Sequence, residues 1–161
     1  MKRIVVLAVL FLMIFSSSLA SGRYVWITSS DEITFSFDAY SIKFGKKFNG
    51  DIDYYIIDAW MKYDYNEAGK EGMKERYSDV KGIESISHSL NKYLYNNKTN
   101  CYRLVSTILY DDSGNVLYTY KNSQSNWDEI IPGSYAEMFE MVTFLYAQDK
   151  NIRYSMEQRS K

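Results

Sequence analysis

Between Tyr24 and Tyr120, apolar and polar positions alternate with a period of two over several short runs, the pattern of strands with one buried side. Ile33, Phe35 and Phe37 interleave with Thr34, Ser36 and Asp38. A longer run, Asp51 to Tyr65, sets Tyr55, Ile57, Ala59, Met61, Tyr63 and Tyr65 on one side, and Asp58, Lys62 and Asp64 with Ile56 and Trp60 on the other. Shorter strands are predicted over Tyr24 to Thr28, Ser41 to Phe44, Cys101 to Tyr110 and Val116 to Tyr120. The last two are joined by Asp111, Asp112, Ser113, Gly114 and Asn115, a tight connection in which Gly114 can take positive φ, so they form a hairpin.

Two stretches are less regular. Residues 66–82 are charged and carry Gly69, Gly72 and Gly82, which predicts a solvated excursion with at most a turn of helix. Ile83 to Tyr95 fits a helical face through Ile83, Ile86, Leu90 and Leu94, or one side of a strand through Ile86, His88, Leu90, Lys92 and Leu94; the serines at 85, 87 and 89 favour the strand. Trp127 to Ile131 re-enters the fold, and Pro132 with Gly133 turns the chain. Ser134 and Glu137 then have capping-box spacing, and the period changes. Tyr135, Met138, Phe139, Val142, Leu145 and Tyr146 recur at three and four residues, one apolar stripe to lay across a sheet. Beyond Gln148 the tail is polar and is expected to fray. The fold class expected is α+β: an antiparallel β-sheet of about six strands with a C-terminal α-helix packed on it.

The first 20 residues follow a different logic. Lys2 and Arg3 precede an unbroken apolar run of 12 residues, Ile4 to Phe15, and Ser16, Ser17, Ser18, Leu19 and Ala20 supply a small-residue end. That is the pattern of a secretory signal peptide cut after Ala20, and the run is short of the roughly 20 residues a bilayer crossing needs. The chain therefore divides into a signal peptide over 1–20, one domain over 21–147 and a polar tail over 148–161. The protein is expected outside the cytoplasm, in the periplasm, at the cell surface or secreted, with no transmembrane anchor after cleavage.

Composition narrows the partner classes. Removing Lys2 and Arg3 leaves 17 basic against 20 acidic residues, a formal charge of −3, and the basic residues are interleaved with acids. Nucleic acid, which demands a basic patch, is excluded as a partner. Cys101 has no second cysteine to pair with and is expected to pack as a small hydrophobe. Sixteen tyrosines with one proline suit strands and contact surfaces alike. Tyr54, Tyr63, Tyr65, Tyr118 and Tyr120 are the candidates for an exposed aromatic face that takes a partner; the competing reading has them cover the core beneath the helix.

Catalytic and metal chemistry finds little support. His88 is the one histidine, with no nucleophile-elbow motif near it. One histidine and one cysteine cannot complete a zinc site. Asp51 and Asp53 resemble the start of a calcium loop, but Tyr54, Tyr55 and Ile56 follow where oxygen ligands belong. Asp111, Asp112 and Ser113 are explained by a hairpin turn, and Asn97-Lys98-Thr99 is a sequon of the kind that arises by chance. Phosphate-binding glycine loops are absent from the sequence. Asp58 and Asp64 could do acid-base work only if they faced one another across a pocket. No cofactor is expected and no enzymatic activity.

The order of these pieces resembles the surface-adhesin protein E family of bacterial exported proteins. The resemblance rests on Trp26 near the mature start, Asp38 with Ser41-Ile42, the strand holding Trp60, Cys101 with the aromatic strand after it, Tyr110-Asp111 before Gly114, and Trp127 leading to Ile131-Pro132-Gly133-Ser134 and a helix. It implies the antiparallel sheet with its C-terminal helix, and a binding role toward host extracellular proteins at the cell surface. Members often carry a second cysteine in that helix, bridged to the one near position 101, and this helix has none. The expected function is an exported, non-enzymatic binding module for a host extracellular-matrix or cell-envelope protein; the alternative is a structural or assembly component of the envelope. Oligomeric state is left open.

Overall fold

The computed structural model describes residues 22–124 and 126–159, with side chains described through Asn151. The signal peptide expected over residues 1–20 lies outside the described residues. Eight strands form one antiparallel sheet: β1 (Tyr24–Ser29), β2 (Ile33–Asp38), β3 (Lys43–Lys46), β4 (Ile52–Tyr65), β5 (Ile86–Asn96), β6 (Cys101–Asp111), β7 (Val116–Lys121) and β8 (Asp128–Glu129). Six of them run in the order β1-β2-β4-β5-β6-β7, while the short β3 extends the β2 side of β4 and β8 pairs with β6. Helix α2 (Tyr135–Arg159) lies on one side of this sheet, as the apolar pattern predicts.

Alternation along β4 decides which side is covered. Ile57, Ala59 and Met61 are fully buried, and Phe35 and Phe37 stand beside them because Phe35 pairs with Tyr63 and Phe37 with Met61. The helix adds Phe139 and Ala147 to this core. Its buried stripe differs from the one expected: Tyr135 and Leu145 are exposed, and Thr143 is fully buried between Phe139 and Ala147. The Thr143 hydroxyl donates to the Phe139 and Glu140 carbonyls, 2.7 and 3.1 Å away, so its polarity is answered within the helix and the position packs as a small apolar one.

Residues 66–82 correct the expectation of a loop. They contain helix α1 (Glu67–Arg76), capped by Asn66, whose side-chain oxygen accepts from the Gly69 N–H. Lys70 pairs with Glu67 and Lys74 with Glu71, each at 2.7 Å, and Met73 turns inward onto Ile83, Ile86 and Leu109 in a second, smaller core. A single 3₁₀ turn, Ile83–Ser85, then leads into β5, so the strand reading of the ambiguous segment holds from Ile86 onward. The helix α2 also continues past Gln148, where fraying was expected, to Arg159. Lys150 explains the first part of that extension, with its ammonium on the carbonyls of Ala39, Tyr40 and Ile42.

Between the two cores runs a seam of buried polar groups. The Tyr65 hydroxyl lies 2.7 Å from Ser89 Oγ, Asn91 Nδ2 donates to the same Oγ, and Thr107 Oγ1 donates to Asn91 Oδ1, both at 2.8 Å. Each group has a partner, which removes most of the desolvation penalty of burying it.

Candidate binding surface

An antiparallel sheet with a helix on one side presents its other side to solvent. Here that uncovered side is built from the even-numbered residues of β4, namely Ile56, Asp58, Trp60, Lys62 and Asp64, opposite in parity to the buried Ile57, Ala59 and Met61. Cross-strand register extends it. Asp64 pairs with His88 and His88 with Tyr110; Lys62 with Leu90 and Leu90 with Ile108; Trp60 with Lys92 and Lys92 with Ser106; Asp58 with Leu94 and Leu94 with Arg103. On the β1 side, Trp26 pairs with Ser36 and Ser36 with Lys62.

Register places Trp26 and Trp60 on this side, and Trp127 joins it through Arg103, which pairs with Leu94. Trp26 is well exposed, its indole N–H donating to Ser29 Oγ at 3.2 Å. Trp60 is half-buried at the centre of the sheet, two strands from Trp26, or about 10 Å across the pairing direction. Trp127, 37% exposed, carries the Arg103 guanidinium over its ring at 5.4 Å from the centroid. No carboxylate pairs with Arg103 among the described residues.

Ion pairs lace the spaces between these rings. Asp58 sits between Lys92, at 3.2 Å, and Lys43, at 3.9 Å; Lys62 reaches Asp64 at 2.6 Å; Arg23 holds the buried Asp38 carboxylate at 2.8 Å. Lys62 and Arg23 also lie over the Tyr24 ring, 5.2 and 5.4 Å from its centroid. His88 stacks flat on Tyr110, with centroids 4.8 Å apart and planes 4° apart. Burial, and after it the charge of Lys62, lowers the His88 pKa, so the imidazole is neutral at neutral pH.

Asp58 and Asp64 share one side of an extended strand at a separation of six residues, about 20 Å, which is far beyond the spacing at which two carboxylates act on one bond. His88 faces neither of two open concavities of about 430 and 670 Å³, which lie near Tyr77 and Tyr118 and near the start of α2. The Asp111 carboxylate accepts from the Ser113 and Asn115 backbones at 3.0 and 2.7 Å and so serves its own hairpin turn. Asp51 accepts from the Asn49 amide and Asp53 from the Tyr55 N–H. Cys101 is a free, half-buried thiol donating to the Thr99 carbonyl at 3.2 Å.

The five tyrosines singled out in the sequence do not gather on one exposed surface. Tyr63 is in the main core, its hydroxyl bonded to that of Tyr93, and burial raises its pKa well above 10.0. Tyr65 and Tyr118 pack on the second core. Tyr120 pairs with Thr107 and so stands on the helix side, exposed at the sheet edge. Tyr54 is exposed at the opposite end of the sheet, against Phe44. The parity of Trp60 against Ile57, Ala59 and Met61 places it on the outer side from the sequence alone.

A family model described as surface-adhesin protein E matches residues 23–142 of the chain. Neither a curated protein nor a solved structure matches it.

Proposed function

The chain belongs to the surface-adhesin protein E family, and on that premise we propose that it is an exported, non-enzymatic binding module whose uncovered sheet side receives a protein partner of the host extracellular matrix or of the cell envelope. The observation that carries the reading is the placement of Trp26, Trp60 and Trp127 on the side that α2 leaves open. Tryptophan and arginine are the side chains most enriched where interfaces concentrate their energy, because each buries a large rigid area and keeps a polar edge to satisfy. Around them, Asp58, Lys62, Asp64 and Lys92 are already paired within the domain, so they set orientation and partner choice at the rim more than affinity.

The test is capture of matrix proteins and of solubilised envelope proteins by the purified exported form. The variant carrying Trp26→Ala and Trp127→Ala should lose at least tenfold in affinity for whatever is captured, with unchanged far-UV circular dichroism. Capture of nothing from either source, or equal capture by the double variant, removes the reading.

A further inference from the structure

The pairing of β4 with β5 stops at Ile56, yet β4 and β3 continue, with Gly45 opposite Asp53 and Lys46 opposite Ile52. Residues 45–55 therefore form a two-stranded finger past the end of the central sheet. Its turn is hydrogen-bonded: Lys47 N–H donates to the Asp51 carbonyl at 2.8 Å, Gly50 N–H to the Lys47 carbonyl at 3.0 Å, and Gly50 takes φ 89°. At the root, Phe44 packs edge-on against Tyr54 and against Phe144 of α2, with centroids 5.1 and 6.3 Å apart.

The finger carries an unusual load of exposed apolar surface. Phe48 at the tip is fully exposed, and Ile52, Tyr54 and Tyr55 are 43, 52 and 53% exposed. Tyr54 leans on Phe44 at the root, Tyr55 lies beneath Lys98, and Phe48 stands clear at the tip, so the exposed rings are divided among three places on the finger. The medium that closes around a convex apolar tip is one that deforms, and Lys46 and Lys47 immediately before Phe48 have stems that can lie along an apolar layer while their ammonium groups reach phosphate. Lys98 adds a third cation, 5.5 Å from the Tyr55 ring centroid. The two acids of the finger, Asp51 and Asp53, are engaged by the Asn49 amide and the Tyr55 N–H.

We propose that the β3–β4 finger inserts Phe48 into the interfacial layer of an anionic membrane, with Lys46 and Lys47 on the headgroups and Tyr54 and Tyr55 at the level where aromatic rings prefer to sit. Trp26, Trp60 and Trp127 lie outside the finger, so substitutions can address the two surfaces one at a time.

The exported form, free of the apolar segment 4–15, is mixed with vesicles of phosphatidylcholine alone and of phosphatidylcholine with phosphatidylglycerol, and sedimented. Wild type should pellet with the anionic vesicles and be released by salt. Phe48→Ser should bind at least tenfold more weakly, Phe48→Trp should bind as wild type, and replacing Lys46 and Lys47 by Gln should weaken binding about fivefold for each lysine and flatten the salt dependence. Trp26→Ala with Trp127→Ala should pellet as wild type, which keeps this test independent of the partner-binding one. Failure of wild type to pellet with anionic vesicles, equal pelleting by Phe48→Ser, or a finger variant that loses only the captured protein partner overturns the proposal.

Discussion

The Lys150 ammonium lies 3.2 Å from the carbonyl oxygen of Ile42, 108 residues away in the chain, and reaches the Ala39 and Tyr40 carbonyls at 3.3 and 3.4 Å as well. One charge thereby satisfies three acceptors of the connection between β2 and β3 and ties it to α2. Lys150→Met keeps the stem and removes the donors. A charge-assisted hydrogen bond at a partly wet site contributes about 1 kcal/mol net, so the variant should lose roughly that in urea unfolding and about 4 °C in thermal midpoint. An unchanged midpoint in both would show that the contact adds nothing to stability.

Gly69 and Gly72 sit three residues apart in α1 and should respond in opposite senses to alanine. A Cβ on Gly69 would lie 2.3 Å from the Glu32 carbonyl oxygen, whereas a Cβ on Gly72 meets nothing within 4 Å. Gly69→Ala therefore forces α1 off the β1–β2 loop, where Asn66 also bonds to Asp31 and Glu32, and should cost ~2 kcal/mol. Gly72→Ala only removes backbone freedom in an exposed helix and should gain up to about 1 kcal/mol. Chemical denaturation of the two variants beside wild type decides it; equal signs would refute the packing role of Gly69.

That pair also shows what the sequence conceals. The alternation of Ile57, Ala59 and Met61 against Asp58, Trp60 and Lys62 is written in side chains, so the sheet and its covered side could be read directly. Helix α1 could not, because a glycine that permits a close approach looks the same as one that breaks a helix, and the approaching group, the Glu32 carbonyl, is backbone. Thr143 and Lys150 failed for a related reason: a polar residue reads as solvated unless its acceptor is known, and both acceptors are main-chain carbonyls. The tyrosines could be read two ways, as an exposed face or as cover for the core, because Tyr63 is satisfied by Tyr93 and Tyr65 by Ser89, partners that cross-strand register alone supplies. With their hydroxyls paired they bury freely, and the three tryptophans are left to mark the open side.

The same burial predicts the alkaline behaviour. Burial raises the Tyr63 and Tyr95 pKa values well above 10.0, raises that of Tyr93, and carries that of Tyr65 to about 12. Their folded values exceed the unfolded ones, so this contribution to stability is complete below the ordinary phenol value and is lost as pH rises through the folded values, where the unfolded chain is already ionised. In a titration followed by phenolate absorbance and far-UV circular dichroism, this buried group should ionise only together with loss of the sheet signal. One smooth absorbance transition with the dichroism intact would contradict the packing of Tyr95.

Glu140 shows a pH effect of the same sign, displaced to the carboxylate range. Burial against the sheet, and after it the charge of Glu137, raises its pKa above the usual carboxylate value. The unfolded chain therefore releases the Glu140 proton at a lower pH than the folded one. Below the unfolded value both states are protonated and the residue is harmless; as pH rises through the folded value, the folded state must hold a poorly solvated charge and stability falls. Glu140→Gln is neutral at every pH. Its urea midpoint should exceed that of wild type at pH 7 by the equivalent of less than about 1 kcal/mol, since the site is only partly shielded from water, and the two should converge as the pH is lowered past the carboxylate range. A midpoint below that of wild type at pH 7 would mean that the carboxylate has a favourable partner there and that its burial is not the dominant influence.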